Sequence, residues 1–147
     1  MAMKDYNLKR FLEAQTNSYE NALAELRAGR KRSHWMWFIF PQLQGLGFSE
    51  MSKRYAIRDV DEARLYLADP TLGKRLISLC NELLKLEDVT ASEIFGYPDD
   101  MKLQSSMTLF AAAKGGDNVF ESVLKKYYGG ARDPATLQIL HAQNLDR

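Results

Sequence analysis

One segment of the chain has residue types that suit a phosphate-bearing ligand. The basic run Arg27–Arg32 leads into Ser33–Gln42, SHWMWFIFPQ, which holds both tryptophans and two of the seven phenylalanines. A helix beginning at Ser33 would offer free N–H groups and the positive end of its dipole to an anion, and arginine forks suit phosphate. A neighbouring indole could stack on a base. The pattern predicts a site for a phosphorylated nucleoside. Its predicted ligand-binding residues are Arg30, Lys31, Ser33, Trp35, Trp37 and Gln42.

The same segment also admits a structural interpretation. Charge runs are usually solvated, so the basic residues could form an exposed loop beside a buried aromatic core. His34 lies at the edge of the segment, and an imidazole there suits a general acid or base. The alternative is a histidine hydrogen-bonded at a helix start. His141 falls near the end of the last predicted helix, where a cation is favourable, and is interpreted as structural.

A second group of reactive side chains lies between Gly96 and Thr108. Asp99, Lys102 and Ser106 are spaced so that they share one helix face, which could present a carboxylate, an ammonium group and a hydroxyl to one ligand. Such groups would supply proton transfer or charge stabilisation. The alternative is that the acid caps the helix, the lysine is solvated and the hydroxyl residues let helices approach closely. The predicted catalytic residues are His34, Asp99, Asp100 and Lys102, and the ligand-binding set is extended by Ser105, Ser106 and Thr108.

Several established motifs are absent from the sequence. There is no phosphate-binding G-x-x-x-x-G-K-[ST], no dinucleotide G-x-G-x-x-G after a strand, no H-E-x-x-H and no EF-hand loop. No G-x-S-x-G pattern marks a nucleophilic serine, and the segment between Gly96 and Thr108 contains no S-x-x-K. Cys80 is the single cysteine, so an internal disulfide and a cysteine-based zinc site are excluded, and its place on an apolar stripe indicates core packing. We therefore predict no cofactor and no metal site.

Helical periodicity and capping residues predict the elements that position these groups. The first helices cover about Asn7–Gln15 and then Tyr19–Leu26 after a cap at Asn17 or Ser18, with Gly29 ending the second. A short buried helix capped by Ser33 is expected in the aromatic segment, stopped before Pro41. Residues 42–48 form a loop, and a helical turn follows over 51–55.

The second half of the chain is predicted to be helical throughout. Asp59 or Asp61 caps a helix through Leu67, and Asp69-Pro70 precedes a longer helix whose apolar stripe runs from Leu72 to Leu86. Gly73 costs that helix about 1 kcal/mol relative to alanine, which the tertiary fit must offset. Four more helices are predicted. A short one runs from the Thr90–Glu93 capping box to Gly96, and the next is started by Pro98 with Asp99 or Asp100 and stopped by Gly115-Gly116. The others cover Val119–Tyr128, capped by Asp117 or Asn118, and the segment after Asp133-Pro134. The alternation typical of strands is missing. The fold class is therefore all-α, an irregular globule of about seven to nine helices in a single domain, 1–147.

Composition limits the class of protein. The chain has 147 residues, 46% of them hydrophobic and 27% charged, which is ordinary for a folded globular domain. A net charge of +1 gives no general attraction to nucleic acid, and no apolar run reaches the ~20 residues of a membrane span. The segment Met1–Arg10 lacks the apolar stretch of a signal peptide, so a cytoplasmic location is expected. The oligomeric state is left open.

The chain resembles the domain-of-unknown-function 1810 family of bacterial proteins. The resemblance rests on SHWMWFIFPQ followed by Gly45-Leu46-Gly47, and on SSMTLF at 105–110 after Lys102, and it covers nearly the whole chain. It implies a compact, mostly helical domain and little about activity. Members sometimes carry a calpastatin-like label, but calpastatins are disordered inhibitors and this composition is that of a folded domain.

A looser similarity is to the NADAR group, small helical proteins linked to ADP-ribose chemistry. It rests on size, helicity and the string Phe11-x-x-Ala14-Gln15, and it is an analogy of fold. Two hypotheses follow. In the first, a small helical domain binds or hydrolyses an ADP-ribose-like or other phosphorylated nucleoside, and the two reactive segments, more than sixty residues apart, meet around one cleft. In the second, the domain is non-catalytic and serves protein interaction or scaffolding, with no deep pocket.

Overall fold

The structure of the protein is a computed structural model that describes residues 6–145. The predicted domain 1–147 and the N-terminal segment Met1–Arg10 extend beyond this part of the chain, because residues 1–5 and 146–147 lie outside the described residues. The helices of the described part are α1 (Lys9–Gln15), α2 (Tyr19–Arg27), α3 (Met36–Ile39), α4 (Glu50–Arg54), α5 (Val60–Ala68), α6 (Leu72–Lys85), α7 (Ala91–Phe95), α8 (Asp99–Lys114), α9 (Val119–Tyr128) and α10 (Pro134–Leu145). Residues 6–145 contain no β-strand. The all-α prediction is confirmed.

Local capping signals fix several helix starts where the sequence indicates them. Asp59 accepts a hydrogen bond from the N–H of Glu62 at the start of α5, and Asn118 accepts one from the N–H of Glu121 at the start of α9. The capping box of Thr90 with Glu93 is complete at α7. These side chains satisfy N–H groups that have no partner within the helix.

The predicted cap of the aromatic segment is wrong. Helix α3 begins at Met36, with Trp35 in the capping position and no side-chain cap bond. The hydroxyl of Ser33 instead donates to Glu25 at 2.6 Å. A capping hydroxyl accepts a backbone N–H, whereas this hydroxyl donates to a carboxylate of α2, and the charge-assisted hydrogen bond holds the Ser33 side chain towards α2.

Helix α8 is the centre of the fold. It packs against α5, α7, α9 and α10, and every residue from Ser105 to Ala111 is buried. Aromatic rings join α8 to its neighbours: the ring of Tyr66 lies 5.3 Å from that of Phe110, and Phe110 lies 5.8 Å from Phe120, between ring centroids. A helix covered on several sides has little amphipathic character, which is why its predicted face was hard to read from periodicity.

The loop between α3 and α4 is held to the start of α5 by backbone hydrogen bonds. Ile57 donates its N–H to the carbonyl of Gln42 at 2.8 Å and accepts from the N–H of Gln44 at 2.7 Å. These bonds make an isolated parallel bridge between Leu43 and Ile57. The loop is thereby fixed at its base while its tip, with Phe48 84% exposed, projects outward.

Candidate functional site

The position predicted for a bound phosphate is occupied by the protein's own carboxylate. Glu25 Oε1 accepts from the N–H of Arg32 at 2.7 Å, the N–H of Ser33 at 2.9 Å and the indole Nε1 of Trp35 at 2.9 Å. The Ser33 hydroxyl adds a bond to Oε2. The N–H groups at the entry to the aromatic segment are therefore bound by a carboxylate of the protein itself.

These four donors determine the charge state of Glu25. Partial burial is the largest single influence and disfavours the charged form, but the bonds from Ser33, Arg32 and Trp35 together outweigh it and lower the pKa of the carboxyl to about 2. Glu25 is thus charged at every pH near neutrality. Its role is to fix the entry into the aromatic segment, including the orientation of the Trp35 ring.

The Glu25→Gln variant is expected to be less stable than the wild type by about 1–3 kcal/mol at pH 7, since the amide keeps one acceptor and loses the charge. Because the folded pKa is depressed, the wild-type contribution is fully present above the unfolded value of about 4.5 and is lost as the pH falls towards 2. Urea unfolding of both proteins between pH 7 and pH 2 measures the difference. The difference in free energy of unfolding between the two proteins should narrow on acidification. A difference that is constant with pH would contradict this role of Glu25. Glu20→Gln, an exposed change on the same helix, is the control.

The two reactive segments meet through a carboxylate shared by two lysines. Asp99 Oδ2 lies 3.0 Å from the Nζ of Lys31, and its Oδ1 lies 3.3 Å from the Nζ of Lys102. Each ammonium group also lies over an indole, Lys31 at 5.1 Å from the Trp35 ring centroid and Lys102 at 5.6 Å from that of Trp37. The start of α8 is thereby held against the aromatic segment.

A narrow crevice opens where these segments meet. We call it the Trp37 crevice, and it is lined by Met36, Trp37, Phe40, Gln42, Ser52, Tyr55 and Lys102. Its volume is about 10 Å³, which is room for about one water molecule. The crevice offers an indole, an ammonium group, an amide and hydroxyls in one place, but a larger ligand has to extend out of it.

A larger cavity adjoins the crevice. This Phe48 cavity has a volume of about 450 Å³ and shares Gln42 and Ser52 with the Trp37 crevice. The remaining residues lining it are Leu43, Gln44, Gly45, Gly47, Phe48, Lys53 and Ala56. The volume lies in the range of small-molecule sites. One exposed aromatic ring, one ammonium group and two amides are among the groups that a ligand would meet there.

A glycine brings the two walls of the Phe48 cavity together. A Cβ at Gly47 would lie 2.6 Å from the Cβ of Ser52. No larger residue fits at this distance. Because Gly47 has no side chain, the loop can cross directly over the first turn of α4. The hydroxyl of Ser52 in turn accepts a hydrogen bond from Ser49 at 2.9 Å. The mouth of the cavity therefore depends on Gly47.

Comparison with known proteins places the chain in a family. The profile described as "Protein of unknown function (DUF1810)" matches residues 5–140. The chain belongs to the DUF1810 family. The crystal structure of the conserved hypothetical protein Rv1873 from Mycobacterium tuberculosis is similar, with a TM-score of 0.91 and 48% identity, covering 92% of this chain and 97% of that one. No curated protein matches the chain significantly. The family and the fold are thereby established, and neither match names an activity.

The other residues predicted for the site in this DUF1810 protein lie in different places. His34 and Arg30 are exposed, and neither lines the crevice or the Phe48 cavity. Trp35 is 1% exposed and its Nε1 is bonded to Glu25, so its burial argues against the predicted stacking on a ligand. The carboxylate of Asp100 accepts the N–H of Met101 at 2.9 Å at the start of α8. Of the predicted catalytic residues, Lys102 lines the Trp37 crevice.

The predicted hydroxyl residues of α8 face the interior. Ser105 donates to Asp133 at 2.8 Å, and Thr108 accepts the N–H of Asp133 at 3.0 Å, so both hold the start of α10 against α8. The hydroxyl of Ser106 is fully buried and has no hydrogen-bond partner among the described residues. These positions support the interpretation that small polar residues let helices approach closely. They line neither the crevice nor the Phe48 cavity.

Sequence reasoning missed most of the residues that line the two spaces. Among them, Phe48 lies in the loop before α4, Ser52 and Lys53 lie in α4, and Tyr55 follows it, a region that was assigned no binding role. The signal that could have pointed to them is an unburied phenylalanine next to the glycine pair of Gly45-Leu46-Gly47. A large aromatic residue at a turn often serves a contact outside the core.

Two further classes of site find no support in the described residues. Across residues 6–145, no three His, Cys, Asp or Glu side chains come together in a way that would hold a metal ion. None of the helices in the same range is long and apolar enough to cross a bilayer.

Proposed function

We propose that this protein binds a phosphorylated nucleoside, of the ADP-ribose type or a simpler nucleotide, in the joined Trp37 crevice and Phe48 cavity. The observation that carries the proposal is the cavity of about 450 Å³ that opens beside an indole and two lysines. The exposed ring of Phe48 and the indole of Trp37 are the aromatic groups available to a base. Lys53 and Lys102 supply positive charge for phosphate.

The polar groups between these ends suit a sugar. Gln42 and Ser52 line both spaces, so an amide and a hydroxyl stand midway between the crevice and the cavity. A few fixed polar groups in a mainly apolar pocket are what orient a small ligand. Each space combines at least one aromatic ring with one ammonium group, so the arrangement supports binding of a molecule that carries an aromatic ring, hydroxyl groups and an anionic group.

Hydrolysis of the ligand receives less support than binding. Asp99 is engaged by two ammonium groups, and the carboxylate of Asp100 is engaged at the helix start. A general base must reach the proton it takes, directly or through one water. Lys102 is the one predicted catalytic group that borders the crevice, and its position suits charge stabilisation.

A thermal-shift series with adenosine, AMP, ADP and ADP-ribose tests the proposal. A ligand at about 100 times its Kd stabilises the fold by about 2.7 kcal/mol, which raises the Tm of a protein of this size by about 5–10 °C. Phe48→Ala should weaken binding about tenfold through lost stacking, while the fold is retained because the side chain is 84% exposed. Tyr97→Ala removes an 80% exposed ring that lines neither space and should leave affinity unchanged. A flat response to every nucleotide would refute the proposal.

The alternative function is protein interaction, and one observation favours it. Tyr97 is 80% exposed and Met101, four residues later at the start of α8, is 54% exposed. Exposed apolar side chains close together are typical of contact surfaces. In that case Tyr97→Ala would abolish association with a partner and Phe48→Ala would have no effect on nucleotides, since none would bind.

A further inference from the structure

A strongly basic cavity lies beside the end of α4. This basic cavity has a volume of about 200 Å³ and is lined by Tyr6, Asn7, Arg10, Gln44, Lys53, Arg54, Ala56 and Arg58. Four of these residues are cationic and none is acidic. It shares Gln44, Lys53 and Ala56 with the Phe48 cavity, so the two spaces are neighbours.

Arg10 lines the basic cavity, and all of its side-chain N–H groups donate hydrogen bonds within the protein. Its Nε donates to the carbonyl of Arg54 at 2.9 Å, and its Nη2 donates to the carbonyl of Ala56 at 2.7 Å and to Glu62 at 3.0 Å. Its Nη1 donates to two carbonyls of the preceding turn. All five donors are used, so Arg10 builds the cavity and leaves binding to its neighbours.

The three other cations of the cavity have no anionic partner. The side chains of Lys53, Arg54 and Arg58 are exposed and make no hydrogen bond or ion pair with any described residue. Glu50, one turn earlier on α4, forms no ion pair of 4.0 Å or less within the described residues. Arg54 and Arg58 instead lie over the rings of Tyr55 and Tyr6, at 5.9 Å and 5.5 Å from the ring centroids.

Neither the helix dipole nor pairing with nearby acids accounts for all three of these cations. Lys53 and Arg54 occupy the last turn of α4, where a helix favours cations. Arg58 lies outside any helix, and yet it borders the same hollow. The local acids Asp59 and Glu62 are used elsewhere: Asp59 accepts from Tyr6 and from the N–H of Glu62, and Glu62 is held by Arg10. Within residues 6–145, the positive charge of Lys53, Arg54 and Arg58 is thus not neutralised by an ion pair.

We infer that the basic cavity is a phosphate-binding site, with Lys53, Arg54 and Arg58 as its ligand-contacting residues. Arginine forks and a lysine around a concave space match the tetrahedral oxygens of a phosphate or a diphosphate. The positions of the two arginines over aromatic rings hold their guanidinium groups without consuming their hydrogen-bond donors. This site is separate from the run Arg27–Arg32, whose anion-binding N–H groups are taken by Glu25.

The residues that the basic cavity shares with the Phe48 cavity also indicate the class of ligand, a step that rests on the proposed function. Lys53 borders both spaces, so a nucleoside with its base in the Phe48 cavity would direct a chain of phosphates towards Arg54 and Arg58. A nucleoside diphosphate or a diphosphate-linked nucleotide fits this arrangement better than a nucleoside without phosphate.

The phosphate site is tested with inorganic pyrophosphate, by titration calorimetry at fixed ionic strength. The wild type is compared with the double variant Arg54→Gln/Arg58→Gln and with Arg30→Gln/Arg32→Gln, which removes the same charge from the exposed basic run. We expect the first pair to weaken pyrophosphate binding at least tenfold and the second pair less than twofold. Equal losses of pyrophosphate affinity in the two double variants would show general attraction to positive charge and would overturn the site. The absence of pyrophosphate binding by the wild type would overturn it too.

A nucleotide series separates this inference from the proposed function. Arg54→Gln/Arg58→Gln should weaken ADP at least tenfold and leave adenosine unchanged, whereas Phe48→Ala should weaken both. If pyrophosphate binds and no nucleoside or nucleotide does, the proposed function fails and the phosphate site stands. If ADP binds equally well to the wild type and the arginine variant, the phosphate site fails and the proposed function stands. Circular dichroism of each variant checks that the helical fold is kept.

Discussion

The Gly73→Ala variant is expected to lose about 3 kcal/mol or more of its free energy of unfolding, and its Tm should fall by about 6–12 °C. The reason is a close approach between α5 and α6. A Cβ at Gly73 would lie 2.1 Å from the carbonyl oxygen of Leu67 and 2.9 Å from the carbonyl carbon. Both are backbone atoms, so no side-chain rotation relieves the clash and the two helices must move apart.

The sign of this effect distinguishes packing from helix propensity. Alanine is the better helix former by about 1 kcal/mol, so propensity alone predicts that Gly73→Ala stabilises the protein. Lys74→Ala, an exposed change at the next position, should alter stability by no more than about 0.5 kcal/mol. Denaturant unfolding of the wild type, Gly73→Ala and Lys74→Ala measures these differences in stability. A Gly73→Ala protein as stable as the wild type would show that the helices separate at no cost.

Helix positions were predictable because their determinants are local. A capping side chain meets its N–H two or three residues away, as Thr90 does with Glu93 and Asp59 does with Glu62. The burial of Cys80 at 0% exposure also follows from a local stripe, and burial raises the pKa of its thiol. The cost of Gly73 within α6 indicated a tertiary reason, but the sequence could not name Leu67 as the residue concerned.

The N–H groups predicted to bind phosphate at the start of the aromatic segment are taken by a carboxylate of the protein itself. Free N–H groups beside Ser33 and Trp35 do attract a negative charge, as predicted, but the charge comes from Glu25 on α2. Whether an anion site is filled from within depends on how α2 lies against the aromatic segment. Periodicity indicates that α2 exists and not where its polar face points. A ten-residue separation between Glu25 and Trp35 was enough to hide the contact.

The cavities were beyond prediction for a related reason. The meeting of Lys31 with Asp99 and Lys102 could be anticipated from residue types, since a carboxylate between two lysines is favourable wherever the chain brings them together. The Phe48 cavity and the basic cavity arise from the path of the backbone around α4. That path is fixed by the bridge between Leu43 and Ile57 and by the donors of Arg10, none of which has a periodic signature.

Replacing Arg10 by methionine is expected to cost about 3–5 kcal/mol of stability, because a buried charge is left without its partner. Glu62 is 0% exposed, and Arg10 supplies the one salt bridge to it among the described residues, at 3.0 Å. Oε1 of Glu62 keeps its bond from the N–H of Arg58 at 2.7 Å, which is too little to compensate for a buried carboxylate. Arg10→Lys should recover only a small part of the stability that Arg10→Met loses, since an ammonium group has three donors where the guanidinium uses five.

A double-mutant cycle separates the ion pair from the rest of the network that Arg10 holds. The Arg10→Met/Glu62→Met protein removes both charges and should be more stable than Arg10→Met alone, because the uncompensated carboxylate is gone. Recovery should stay incomplete, since the carbonyls of Arg54 and Ala56 lose their donor in both variants. Urea unfolding of the four proteins gives the coupling energy, and strict additivity of the two single changes would contradict the argument. Those carbonyls belong to the segment that separates the Phe48 cavity from the basic cavity, so the cycle also measures how firmly the fold holds the wall that both proposed binding sites share.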